Sequence, residues 1–115
     1  MEPKELAISA ARILDAKGAD DIQVLEVNHL TSITDYFVFA NGRNVQAVHT
    51  LADDLEDKLA EQGILPRRKE GMTATRWIVL DYSHVIVHIF HPEERQYYNI
   101  ERLWTDGTNE IPYAE

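Results

Sequence analysis

TRWIVLDYSHVIVHIF, residues 75–90, decides the fold. Two short apolar runs, WIVLD and VIVHIF, flank Tyr82-Ser83-His84, and that arrangement predicts an antiparallel β-hairpin. Side chains alternate along an extended chain, so Trp77, Val79 and Asp81 share one side while Ile78 and Leu80 share the other. With Ile78 and Leu80 facing a core, Trp77 and Val79 form an apolar strip that ends in a carboxylate. Trp77, Asp81, His84 and His88 interrupt the run, and their chemistry is the functional question.

The chain on either side supplies the partners such a hairpin needs. Residues 3–17 place Leu6, Ala7, Ala10, Ile13 and Leu14 at helical spacing, with Pro3 in the first turn and Gly18 as a stop. DDIQVLEVN then reads as a strand, with Ile22, Val24 and Glu26 on one side and Gln23, Leu25 and Val27 on the other. HLTSITD has no period, and YFVFA at 36–40 is apolar on both faces, the pattern of a strand covered on both sides. From Asn44 to Gln62, Val45, Val48, Leu51, Ala52, Leu55 and Leu59 step by three and four, which predicts an amphipathic helix ending at Gly63.

PRRKEGMTA, residues 66–74, reads as a charged connection with a basic island of Arg67, Arg68 and Lys69. After the hairpin, Pro92 opens a short helix. Ile100, Leu103 and Trp104 act as anchors, and the polar end is expected to fray. The predicted order is α-β-β-α-β-β-α. It implies an α/β fold, a mixed β-sheet flanked by helices, with one domain over 1–105 and a polar C-terminal tail over 106–115.

Composition narrows the function. The chain has 115 residues, enough to bury one core without staples. It has no cysteine, which excludes disulfides, thiolate zinc sites and cysteine nucleophiles, and fits a cytoplasmic location. Glu2, Lys4, Glu5, Arg12 and Asp15 break any apolar signal-peptide core, and no run approaches the roughly 18 apolar residues of a bilayer span. No membrane role is expected. The net charge of −9 repels phosphate backbones, so little direct nucleic-acid binding is expected, whereas a basic protein partner would be attracted.

Each candidate chemistry has a simpler alternative. His84 and His88 on one strand would stand about 13 Å apart at ~3.3 Å per residue, too far to share one ion unless the turn bends back. They read as turn and sheet residues, and no metal or other cofactor is expected. Asn41-Gly42-Arg43-Asn44 precedes a helix, but one glycine falls short of either phosphate-binding fingerprint, and Asn44 reads as a helix cap. Ser32 and Ser83 lack a nucleophile elbow. Trp77 beside Asp81 fits a docking spot for a partner bearing Arg or Lys, or alternatively a second core layer.

SITDYFVFANG at 32–42, LAD at 51–53, EG at 70–71, WIVLDYSHVIVHIF at 77–90, Arg95, Tyr98 and IERLW at 100–104 together carry a resemblance. Over nearly its whole length the chain resembles the Iojap/YbeB family, the ribosomal silencing factors (RsfS). The resemblance implies a nucleotidyltransferase-like fold without that enzyme activity. The paired Asp-x-Asp after Gly-Ser that such enzymes use to hold metal ions is missing from this sequence. It further implies binding to the large ribosomal subunit through its fourteenth protein, blocking subunit joining and repressing translation. The family's partner-facing surface maps onto Trp77, Val79, Asp81 and the adjacent Tyr82. Many relatives carry Gly-Asp where this chain has Ser83-His84, so the hairpin tip departs from the family pattern. A metal- or nucleotide-dependent transferase, and a self-associating module forming a homodimer, are the alternatives.

Overall fold

The computed structural model describes residues 1–73 and 76–114. Its elements are α1 (Pro3–Ala16), β1 (Asp20–Glu26), β2 (Tyr36–Asn41), α2 (Val45–Ala60), β3 (Arg68–Glu70), β4 (Trp77–Asp81), β5 (Val85–Phe90), α3 (Pro92–Tyr98) and α4 (Glu101–Trp104). The strands form one mixed sheet in the order β1-β2-β5-β4-β3. Only β2 and β5 run parallel; the other neighbours are antiparallel. The predicted α/β architecture and hairpin are therefore present, with β4 and β5 paired from Trp77–Phe90 to Asp81–Ile86.

The central pair shows why the pattern is readable. All six residues of β2 and all six of β5 are buried, as expected of parallel neighbours covered on both faces. One face of the sheet packs Val38, Ala40, Ile78, Leu80, Val87 and Ile89 against Leu6, Ala10, Leu14, Val48, Leu55 and Leu59 of α1 and α2. The other face carries Leu25, Val27, Phe37, Phe39, Ile86 and Phe90, with Trp77, Val79, Ile100 and Trp104 packed at its margin. Each predicted alternation, in β1 and in β4, separates residues onto these two faces. Asn44 caps α2 as expected, its Oδ1 accepting from the Ala47 N–H at 2.8 Å.

Two expectations change. The charged connection contains a short edge strand, β3, because Gly71 turns the chain back close against β4. Gly71 has φ +82°, and a Cβ there would collide with the Trp77 carbonyl oxygen. Ala74, the end of that connection, and Thr75 lie outside the described residues.

The polar tail is tied down through residues 109–111. The Glu26 N–H donates to the Asn109 carbonyl at 2.9 Å, the Ile111 N–H to the Val24 carbonyl at 2.8 Å, and Leu25 pairs with Glu110. The tail thus covers the otherwise open edge of β1, whose backbone groups need partners. Asn109 pins it from inside, with Nδ2 donating to the Glu26 and Trp104 carbonyls.

Candidate docking groove

The second sheet face is only half covered, because α3 and α4 are short and sit toward one side. What they leave open is a groove of about 390 Å³. Its floor comes from alternating positions of three strands: Phe37 of β2, Trp77 and Val79 of β4, Ile86 and His88 of β5. Ile100 and Trp104 close one wall, Ile33 another, and Arg67, Arg68 and Glu70 form the rim beside β3. Trp104 meets Phe37 with ring centroids 5.1 Å apart, which ties α4 to the sheet.

Trp77 is held in place without being sealed. Its indole stacks on Phe90 at 5.0 Å and touches Tyr98 at 5.0 Å, and its N–H donates to His88 Nδ1 at 3.0 Å. The side chain remains partly exposed. An oriented, half-open tryptophan in an apolar groove has the form of a contact anchor.

Asp81 closes the end of the groove, 6% exposed. Its Oδ2 accepts from Arg67 Nη2 at 2.9 Å and lies 3.5 Å from Arg68 Nη2, while Oδ1 accepts from the Ser83 N–H at 2.8 Å. Burial pushes its carboxyl up, but the Arg67 hydrogen bond, the Ser83 N–H and the second guanidinium together outweigh it and hold the group below its ordinary value. The carboxylate expected to meet a partner's cation is thus already paired within the chain.

The four residues expected on one surface do not all meet there. Trp77, Val79 and Asp81 line the groove; Tyr82 does not. The next side chain after Asp81 turns to the opposite face, so Tyr82 is 7% exposed in the core beneath α2. Among the described residues its hydroxyl has no hydrogen-bond partner, and burial, with Glu56 nearby, pushes its phenol up to about 12.

The histidines separate as strand geometry implied. His84 is exposed at the hairpin tip, its Nδ1 3.0 Å from Asp35 Oδ2, while His88 is buried among Phe37, Phe39 and Phe90.

Sequence reasoning missed what completes the groove. Arg67 and Arg68 were legible only as a basic island, and nothing local linked them to Asp81. Arg95, 7% exposed, was legible only as part of the family pattern. Its guanidinium donates to Glu101 at 2.8 Å, the Asp21 carbonyl at 2.9 Å, Asn41 at 2.9 Å and Gln23 at 3.0 Å. It also lies over Phe39 and Phe90, clamping the α3–α4 segment to the sheet.

Fold and groove define a class: an α/β domain that presents an aromatic-lined hollow on one sheet face. Comparison with known proteins gives the family. The family model described as "Ribosomal silencing factor during starvation" matches residues 1–115, and the chain belongs to that family. It is 37% identical over 107 residues to ribosomal silencing factor RsfS of Bacillus subtilis, covering 93% of this chain and 91% of that one. It is 32% identical over 96 residues to mouse mitochondrial assembly of ribosomal large subunit protein 1, covering 81% of this chain and 42% of that one. A crystal structure of a Chromobacterium violaceum protein superposes with a TM-score of 0.87 at 31% identity, covering 100% of this chain and 98% of that one.

Proposed function

We propose that this protein associates with the ribosome and regulates translation, docking through the Trp77 groove onto the large subunit by way of its fourteenth protein. The bound domain then stands in the path of the small subunit and lowers translation by steric exclusion, with no catalytic step. Family membership supports the ribosome-associated role, and the name of the mouse relative, an assembly protein of the ribosomal large subunit, supports that subunit. The observation that carries the docking site is Trp77 itself, fixed by His88 and Phe90 yet open to the groove.

The groove suits a protein partner. Its floor offers apolar area for an anchoring side chain, and its rim mixes Arg67 and Arg68 with Asp81 and Glu70. A basic residue of the partner reaches Asp81 only by displacing or joining the two arginines. The chain's net charge of −9 steers a basic ribosomal protein toward it and keeps it off exposed rRNA. A homodimer through the same face would compete with docking, and light scattering over a range of concentrations would reveal it as a rising mass.

Co-sedimentation with isolated large subunits tests the reading. Wild type should sediment with them and reduce joining when small subunits are added. Trp77→Ala, if folded, should do neither; wild-type binding by that variant would overturn the site assignment.

A further inference from the structure

The floor of the groove contains a polar group that docking by apolar contact leaves unused. His88 is 9% exposed, and it lines the groove between Val79 and Ile86. An indole N–H can only donate, so the 3.0 Å bond from Trp77 Nε1 makes His88 Nδ1 the lone-pair nitrogen. A neutral imidazole with an accepting Nδ1 carries its proton on Nε2. Burial, with the charge of Arg95, pushes the ring's pKa down to about 4, so it is neutral in neutral solution.

The resulting Nε2–H is unspent. Trp77 is the one hydrogen-bond partner of His88 among the described residues. Nε2 is not sealed from solvent, unlike the Tyr82 hydroxyl and one Glu101 oxygen, the buried unpartnered polar atoms among the described residues. One rigidly held donor is therefore left unsealed in a floor otherwise made of Phe37, Trp77, Val79 and Ile86. Covering it with hydrocarbon alone would strip its water and replace it with nothing, which disfavours such an occupant.

We propose that the His88 Nε2–H determines what the groove accepts: a protein segment that seats an apolar side chain over Val79 and Ile86 and turns a carbonyl oxygen onto His88. The proposal rests on the docking reading and adds a requirement to it. Apolar contact supplies area, and the single donor rejects segments that lack an acceptor at that point. A partner's main-chain or amide carbonyl fits this neutral donor, at a spot set back from the charged rim.

The test uses the full chain and isolated large subunits. His88→Asn keeps an acceptor near Nδ1 for Trp77 but removes the donor, whereas His88→Gln keeps an N–H near Nε2. Loss of one desolvated hydrogen bond predicts roughly 10-fold weaker binding for His88→Asn, with His88→Gln, which keeps the donor but gives up the acceptor for Trp77, weakened less. Tryptophan emission, which both groove tryptophans report, should stay unchanged in His88→Asn, which keeps the acceptor for Trp77, and shift in His88→Gln, which gives it up. If folded His88→Asn binds like wild type while Trp77→Ala loses binding, the donor requirement is wrong and the groove reading stands. If Trp77→Ala also binds like wild type, the groove reading itself fails. Should His88→Asn not fold, nitrogen NMR of the wild-type imidazole decides the premise: a proton on Nε2 supports it, and one on Nδ1 overturns it.

Discussion

The two faces of this sheet are made from the same five strands but by different means. The face beneath α1 and α2 is closed by two long helices, and Val38, Ala40, Leu55, Leu59, Ile78, Leu80 and Val87 are wholly buried there. The opposite face relies on two helices of seven and four residues, an aromatic cluster and a buried arginine, and stays partly open. Aliphatic interdigitation needs only periodicity and volume. The open face needs directional groups, because a short helix contributes too little apolar area to hold itself down. The cost of that second design is buried polarity, and its benefit is a groove.

The largest expected effect breaks the second face alone. Arg95→Ala removes the guanidinium and leaves Glu101, Asn41 and Gln23 facing inward without their partner. It should destabilise the fold by roughly 3–5 kcal/mol in urea titrations, the range for breaking a buried ion pair. Local release should show as faster amide exchange in α3 and α4 than in α1 and α2.

Leu55→Ala is the matching break of the closed face. It should cost about 2–4 kcal/mol by the same titration while leaving large-subunit affinity per folded molecule unchanged. Loss of binding in that variant at temperatures where it is folded would mean the two faces are coupled rather than separate.

Acid separates the faces without mutation. The His88 pKa is about 4 in the fold, below the ~6.5 of an unfolded chain, so the unfolded state binds the proton more readily between these values. Stability is therefore fully present above about pH 6.5, falls on acidification, and loses roughly 3 kcal/mol by about pH 4. Asp81, held below its ordinary value, has the same sign: its contribution is present above its unfolded pKa and lost as pH falls through the lower folded one. Protonated His88 also stops accepting from Trp77, so tryptophan emission should change in step with stability. A His88→Asn protein should show a flatter profile across that window.

The smallest effect is at the hairpin tip. Ser83 has φ +72°, a left-handed conformation that suits glycine. Ser83→Gly should stabilise by about 0.5–1 kcal/mol and keep the N–H bond to Asp81, measurable as a small rise in Tm.

The closed face was the legible one. Stepwise apolar positions in residues 3–17 and 44–62, and alternation in WIVLD and VIVHIF, follow from local geometry, so α1, α2 and the hairpin could be read directly. Trp77, Val79 and Asp81 fell on one side for the same reason. What stayed hidden depends on contacts between distant residues. Arg67 meets Asp81 across 14 positions, Arg95 meets Gln23 across 72, and Asn109 meets Glu26 across 83. β3 was obscured because its three residues are all charged, and Tyr82 because alternation continues past the end of a strand into its turn. Adjacency to Asp81 in sequence grouped Tyr82 with the strip, whereas its side chain packs in the core under α2.

A photo-crosslinker placed in turn on each face tests the central claim, that the open face meets the ribosome. Ile33, 65% exposed at the groove wall, and Lys58, exposed on α2, are suitable positions. With isolated large subunits, irradiation should join the Ile33 position to the fourteenth protein and leave the Lys58 position without ribosomal adducts. Adducts from Lys58, with none from Ile33, would contradict the account and move the docking surface to the helical side.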